Sequence, residues 1–383
     1  MKRILLVPMA AMAETAGSFA RVRQLAKALL AAGHEVAVCC ARDVNYSAIE
    51  GTVEYPLSIP VPLGLPEKIG KHTFPIAQKL GVTSVKKVNS FEDVLYLTGN
   101  TDYKYLNKSV DEIRRAIKEF RPDIVYSEFN ISAITAAKLE GKRCFISASV
   151  PTQSEYGCTP RYATGMNRLL KEHGLDMVES CLDVFEWADK KFVPSCYELE
   201  PIEDSKVVYC GTLKKSVVRV SNRRDKIIAY MGNGTISVKK MLKEVSAAFA
   251  GSRYEVFIAG HGLKDSTNAN IHTAPYFDFS ELLPESVLYI NHGGQNSMTD
   301  GLINSVPLLI CPGKVFERKY NASSIVNTGA GMEIAYEDFI AENIREKADL
   351  IIGDESYAKQ AGMLGRRLLQ LGGCSNIVRE CEL

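Results

Sequence analysis

Apolar residues along this chain keep two rhythms that alternate. Lys2 to Ala10 is a short, almost continuous apolar run, which predicts a buried strand. From Ser18 to Ala32, Val22, Leu25, Ala26 and Leu29 fall at the i, i+3, i+4, i+7 spacing of an amphipathic helix, and Gly33 supplies its stop. His34 to Cys40 returns to the strand pattern. A strand, loop, helix and strand in that order open a doubly wound α/β fold.

The regular pattern then lapses. Residues 51 to 105 carry Pro56, Pro60, Pro62, Pro66 and Pro75 among several lysines. An interrupted segment of that length inside an α/β domain reads as an excursion that faces a substrate or closes over it. Beyond it, Val110, Ile113, Ile117 and Phe120 line one helix face. Ile124 to Ser127 and Arg143 to Ser147 read as strands flanking a helix at about 131 to 139. A polar, aromatic stretch from Pro151 to Tyr162 precedes a long helix predicted to reach about Lys190. Phe192 to Ser195 and Lys206 to Cys210 complete this half as strands.

Lys214 to Asp225 is polar, rich in basic residues and without apolar period, so it is the expected linker. A second α/β unit opens at Lys226 with the strand KIIAYM, the loop GNGT, and a helix carrying Val238, Met241, Leu242, Val245 and Phe249 on one face. The strand YEVFIAG follows, then Ser286 to Pro312, which reads as strand, glycine turn, helix and strand. Three helical stretches close the chain from about 341 to 382. The expected architecture is α/β, with two Rossmann-like doubly wound domains facing a cleft. The first domain covers 1–213, the linker 214–225 and the second domain 226–365, and a C-terminal helix over 366–383 is free to cross back to the first.

Composition narrows the function classes. A chain of 383 residues with 46% apolar and 24% charged content has ample core for two domains. A formal net charge of +1 offers no global field for nucleic acid or an anionic membrane, so neither is an expected partner. The ten cysteines form no C-x-x-C pair and no disulfide rhythm, and Cys39, Cys40 and Cys144 sit in strand-like runs as reduced core thiols. No metal site is expected. The basic start of MKRILLVPMA leads straight into the α/β pattern rather than a signal peptide, and no window approaches the ~20 apolar residues of a membrane span. The expected location is the cytoplasm. A homo-oligomer or a partner protein stays open.

The candidate chemistry is concentrated at two turns. His292, Gly293, Gly294, Asn296, Ser297 and Asp300 place a cation-capable ring, a flexible backbone, two hydrogen-bonding side chains and a carboxylate within one turn and one helical turn. Such a strand–turn–helix presents backbone N–H groups to a phosphate. Gly232, Asn233, Gly234 and Thr235 form a second turn of this kind. Structural readings stand beside these. Thr235 or Ser237 could merely cap a helix, His292 could be a structural histidine, and Ser297 with Asp300 could form a capping box. Tyr276, Phe277 and Phe279 suit either core packing or stacking on a pyrimidine. Glu317 and Arg318 follow the Pro312–Gly313 turn, as surface charges or as sugar contacts.

These residues resemble a family. His292-Gly293-Gly294-Gln295-Asn296-Ser297-Met298-Thr299-Asp300 is similar, without a gap, to the H-C-G-W-N-S-x-x-E signature of plant secondary-product glycosyltransferases. Val306-Pro307…Pro312 and Glu317-Arg318-Lys319-Tyr320-Asn321-Ala322 resemble its V-P-x-x-x-x-P and D/E-Q-x-x-N-A elements. The chain thus resembles the inverting, nucleotide-sugar-dependent glycosyltransferases of the GT-B fold, which include plant and bacterial antibiotic enzymes. The resemblance implies a first domain that binds an acceptor and a second that binds a UDP- or dTDP-sugar, with no cofactor beyond that co-substrate and no metal. It places His292, Asn296, Ser297 and Thr235 at the diphosphate, with Gly234, Gly293 and Gly294 in the turns. It places Asp300 at the ribose, Tyr276 on the base, Phe279 where a glutamine often meets the ribose, and Glu317 on sugar hydroxyls.

Two departures stand out. Arg318 occupies a usual glutamine position, which implies a donor with a negatively charged or otherwise unusual sugar. Ser18 occupies the position of the catalytic histidine, and Arg21 that of a nearby proline. Pro122-Asp123-Ile124-Val125-Tyr126-Ser127-Glu128 keeps a carboxylate, Glu128, where the family has its aspartate. The expected base is therefore Glu128, with Glu14 or another carboxylate as substitute, or an acceptor acidic enough to need little help. Gly17 and Arg21 also faintly resemble a G-x-x-x-R pattern of nucleotide-sugar hydrolases. The expected function is transfer to a small-molecule, glycan or lipid acceptor. The alternatives are a hydrolase or epimerase of the same fold, or a non-catalytic GT-B subunit supporting a partner transferase.

Overall fold

A computed structural model of the chain describes residues 1–11, 16–43, 46–62, 88–157, 159–214, 221, 223–232 and 236–383. The described residues fall into two compact units. One is drawn from Met1–Leu80, Ser90–Lys214 and Leu371–Leu383, the other from Gly81–Asn89 and Lys215–Gln370.

In the first unit, β1 (Arg3–Pro8) leads to α1 (Ala16–Ala31), β2 (Glu35–Cys40) and β3 (Val53–Pro56). Then come α2 (Phe91–Leu97), α3 (Tyr103–Phe120), β4 (Ile124–Glu128), α4 (Ile131–Leu139) and β5 (Arg143–Ser147). The unit continues with α5 (Thr164–Glu172), β6 (Lys190–Val193) and β7 (Val207–Tyr209). Among the described residues the strands form one sheet in the order β3-β2-β1-β4-β5-β6-β7, and the pairings are parallel. Ile4, Leu5, Leu6 and Val7 are all fully buried, as befits a strand covered on both faces. Asp102 caps α3 by accepting from the Lys104 and Tyr105 N–H groups, and Arg121 ends it in the left-handed region just before Pro122.

One expected helix is not there as drawn. The stretch read as a long helix to Lys190 is α5, which stops at Glu172. Gly174 (φ +68°) turns the chain, and the Asn167 side chain brackets the Val178 backbone with two bonds of 2.8 Å. A short 3₁₀ turn at Asp183–Trp187 then delivers β6. The apolar pairs Leu169–Leu170 and Val184–Phe185 are all buried, but they belong to two pieces.

The second unit comprises β8 (Lys226–Tyr230), α6 (Val238–Phe249), β9 (Glu255–Ala259), β10 (Ser266–Asn268), β11 (Ile271–Ala274), α7 (Phe279–Leu282) and β12 (Ser286–Asn291). After these come α8 (Gln295–Ile303), β13 (Leu308–Ile310), α9 (Phe316–Asn327), β14 (Gly331–Glu333), α10 (Ala341–Gly353) and α11 (Glu355–Gln370). The described strands run β10-β11-β9-β8-β12-β13-β14, with β10 and β11 as an antiparallel edge hairpin. Arg224, at the end of the expected linker, donates to the carbonyls of Asn304 (2.9 Å) and Ser305 (3.2 Å), so it is anchored in this unit. Of the irregular segment at 51–105, residues 63–87 lie outside the described residues. Val88 forms an isolated parallel bridge with Val315.

Helix α11 runs unbroken past 365, so the second unit ends at Gln370. Gly372 and Gly373, both at positive φ, then turn the chain into α12 (Cys374–Glu382), which belongs to the first unit. Ile377 and Cys381 of α12 are buried among Val22, Leu25 and Leu29 of α1. Gly373 N–H donates to the Cys210 carbonyl at 2.7 Å, fixing the entry.

Both sheets reverse their strand order beside their first strand, between β1 and β4 and between β8 and β12. The facing strand ends are Pro8 opposite Glu128, and Tyr230 opposite Asn291. In open α/β sheets ligands bind beyond such switch points. Glu128 ends β4 at the first of these places, and His292, Gly293 and Gly294 follow β12 at the second.

Candidate functional site

At the second switch point the turn after β12 is His292, Gly293 and Gly294. The Asn291 carboxamide oxygen accepts from the Gly293 N–H at 2.8 Å, and Asn321 Nδ2 donates to the Gly293 carbonyl at 2.8 Å. Gly293 lies at φ +78°, where a Cβ would also sit 2.9 Å from Ile310 Cγ2 and 3.0 Å from the Arg318 carbonyl oxygen. Only glycine fits there.

The His292 ring lies between two glycines. A Cβ on Gly232 would come within 2.9 Å of its Cε1, and one on Gly294 within 2.5 Å of its Nε2. Tyr230 meets the ring edge-on at 5.9 Å. His292 Nδ1 is enclosed and has no hydrogen-bond partner among the described residues. Burial, and then the charge of Arg318, pushes the imidazole pKa down to about 3, against a weaker opposing hydrogen bond with the Tyr230 backbone. The cation-capable ring expected here is therefore a neutral imidazole at physiological pH.

Gly294 is the N-cap of α8 and brings no side-chain cap. The first helical bond runs from Met298 N–H to the Gly294 carbonyl at 3.0 Å. The backbone N–H groups of Gln295, Asn296 and Ser297 thus open the helix, the arrangement that favours an anion. The capping-box alternative for Ser297 and Asp300 does not form, because Ser297 is already the third helical residue. Its hydroxyl is hydrogen-bonded to buried Tyr289, and Asp300 is close enough to raise that phenol's pKa. Asn296 is exposed, while Asp300 is half-buried.

The aromatic strip divides. Phe277 packs edge-on against Phe257 at 5.3 Å, and Phe279 against Tyr230 at 5.6 Å and Tyr289 at 5.8 Å. Tyr276 is 75% exposed and presents its ring to solvent. Glu317 is exposed in the first turn of α9, whereas the next residue, Arg318, is half-buried, and burial lowers its pKa. Gly234 and Thr235 lie outside the described residues. The sequence reading passed over Tyr230 and Asn291, although each ends a strand immediately before a glycine turn or one residue short of it.

At the first switch point Glu128 is 1% exposed. Arg21 Nε donates to its Oε1 at 2.5 Å, and the Ser147 hydroxyl donates to Oε2. Ser147 in turn shares a hydrogen bond of 2.8 Å with the Tyr126 hydroxyl. The Arg21 guanidinium carbon lies 5.4 Å from the centre of the Phe129 ring. Both oxygens of the carboxylate expected as the base are thus engaged, and the side chain is closed to solvent. Ser18 touches Glu128 only through the backbone carbonyl, at 3.5 Å, the limit of hydrogen bonding. The Ser18 side chain instead lines a shallow recess with Pro8, Met9, Ala10, Phe19, Ala41 and Asp43. Glu14 lies outside the described residues.

Among the described residues no group of three or more His, Cys, Asp or Glu could hold a metal ion, and no helix is long and apolar enough to cross a membrane. Residues 257–382 match the family described as erythromycin biosynthesis protein CIII-like, C-terminal domain. The glycosyltransferase of kitacinnamycin superposes with a TM-score of 0.73 at 16% identity, covering 100% of this chain and 98% of that one. The spinosyn rhamnosyltransferase SpnG complexed with thymidine diphosphate superposes at 0.69 and 17% identity, covering 100% of both chains. The chain has the GT-B fold. This GT-B protein is also 31% identical over 106 residues to the uncharacterized UDP-glucosyltransferase YojK of Bacillus subtilis (strain 168). That match spans 27% of this chain and 25% of YojK, so only about a quarter of the relative's length is covered. The family match embraces β12, the His292 turn, α8 and α9, but not β8, the other strand at the second switch point.

Proposed function

We propose that this GT-B protein is an inverting, metal-independent glycosyltransferase that takes its sugar from a UDP- or dTDP-sugar. The second unit holds the donor, and the first holds a small-molecule, glycan or lipid acceptor. The observation that carries the reading is the turn at His292. A neutral ring with one nitrogen that has no hydrogen-bond partner among the described residues stands beside the start of α8, which has no side-chain cap, at the reversal point of the sheet. An anion there would receive backbone N–H groups and the positive end of the helix without a metal. Tyr276 is the exposed ring for the base, Asp300 the carboxylate for the ribose and Glu317 the exposed carboxylate for sugar hydroxyls. The names of YojK and of the thymidine diphosphate complex agree with such a donor.

Inversion requires the acceptor oxygen to attack C1 opposite the diphosphate while its proton leaves. We assign that proton to Asp43. It is half-buried, and it shares the recess with Ser18 at the strand ends of the first switch point. Glu128 then serves to hold Arg21.

The test is incubation with a panel of UDP- and dTDP-sugars, with and without hydroxyl acceptors, scoring nucleotide release and the anomeric configuration of any product. Inverted product formed only with acceptor supports transfer. The engaged state of Glu128 favours a second reading, a nucleotide-sugar hydrolase or epimerase or a non-catalytic subunit. Nucleotide release or epimer without acceptor, or binding with no turnover at all, would establish one of those instead.

A further inference from the structure

The sequence element that ends in Asn321 and Ala322 has no part in the proposed function, yet its asparagine is built into the donor turn. Asn321 lies in α9 and is only 5% exposed. Its Nδ2 donates to the Gly293 carbonyl at 2.8 Å. The N–H of the same glycine donates to the Asn291 carboxamide oxygen, also at 2.8 Å, and Asn291 is fully buried. Both backbone groups of Gly293 are thus held by buried carboxamides, and its N–H is withdrawn from any anion at the turn. The Gly294 N–H differs, because it has no hydrogen-bond partner among the described residues. Gly294 is half-buried against the His292 ring.

We infer that Asn321 is a positioning residue: by holding the Gly293 carbonyl it aims the Gly294 N–H at the diphosphate of the donor. This rests on the proposed donor site and names the amide that begins it. The peptide joining Gly293 to Gly294 is trans and planar, so its C=O and N–H point to opposite sides. A carbonyl drawn to α9 therefore turns the N–H away from α9. A hold is needed here because the peptide has a glycine on each side, and glycine leaves its orientation open. Turned over, the same peptide would present a carbonyl oxygen to the diphosphate and repel it. The hold is also firm, because Gly293 is buried and its carbonyl would lose its partner in an enclosed place. An amide already aimed costs no further ordering when the anion arrives.

The test compares the intact wild-type chain with Asn321→Leu, which keeps the size of the side chain and removes its donor. Asn321→Ser, too short to reach the carbonyl, takes its place if Asn321→Leu does not fold. Calorimetric titration of the folded chains with UDP, dTDP and uridine should show UDP and dTDP affinity falling about tenfold in the variant. Uridine, which carries no phosphate, should bind both chains equally. Residue-resolved amide exchange should show UDP protecting Gly294 in wild type and leaving it open in the variant. Equal UDP binding by wild type and a folded variant overturns the inference while leaving the donor site intact. So does a loss that uridine shares, which would make Asn321 a residue of the fold alone. Failure of the wild type to bind UDP or dTDP overturns the proposed function itself, and the inference with it.

Discussion

Arg21 and Glu128, 107 residues apart, meet through Nε and Oε1 at 2.5 Å, and the carboxylate is only 1% exposed. The Arg21 side chain is 17% exposed, so the pair is largely shielded from solvent. It joins α1 to the end of β4 at the point where the strand order reverses. A pair of this kind holds a geometry more than it offers a reactive group, because removing either partner leaves the other charge buried.

The first prediction follows from that pair. Glu128→Gln should lower stability by about 2–4 kcal/mol, because the Arg21 guanidinium loses the carboxylate that its Nε meets. Adding Arg21→Gln should recover part of the loss, read from urea midpoints of the single and double variants. A Glu128→Gln chain as stable as wild type but inert in transfer would return the base role to Glu128.

The Asp43 assignment gives a second. Asp43→Asn should reduce transfer by about a hundredfold or more, with UDP affinity unchanged by calorimetry. Retained transfer would remove Asp43 from the mechanism.

His292 gives a third, in pH. Its folded-state pKa of about 3 lies below the 6.5 of an unperturbed histidine, so the unfolded chain binds the proton first as pH falls. The stability associated with the neutral ring is complete above 6.5 and is lost progressively from 6.5 towards 3. The slope is at most about 1.4 kcal/mol per pH unit. Against pH, wild type should lose stability more steeply than His292→Asn over this window. Parallel curves would contradict the neutral, enclosed ring.

The glycines around that ring give a fourth. Gly294 is not at positive φ, so Gly294→Ala meets only the imidazole, 2.5 Å from Nε2. It should cost about 1–3 kcal/mol. In a His292→Ala background that cost should largely vanish, a coupling readable by denaturation of the two singles and the double.

The last helix gives a fifth. Ile377→Ala should destabilise the first unit by about 2–5 kcal/mol, because Ile377 is fully buried among Val22, Leu25 and Leu29. Calorimetry should show that unit's transition moving down while the second unit's stays.

What could be read from the chain alone depended on range. The strand Ile4 to Val7 and the helix bearing Val22, Leu25 and Leu29 were legible because burial on both faces, or on one stripe, writes a local pattern. The break at His173-Gly174 was not, because apolar pairs on either side mimic a continuing helix. At the donor turn, residue types and spacing were legible, and the electrostatics were not. His292 is neutral because Gly232, Tyr230 and Arg318 close around it, and they come from distant points on the chain. Glu128 was found as a carboxylate in the right strand, but its engagement with Arg21 and Ser147 depends on α1 and β5 packing beside β4.

The central claim is that a nucleotide diphosphate binds at the turn after β12. Backbone hydrogen exchange of the chain with and without saturating UDP or dTDP tests it most directly. The account predicts new protection of the Gly293 to Ser297 amides and of those following Tyr230, with the Glu128 switch point unchanged. Protection confined to the first unit, or none under either nucleotide, would contradict it.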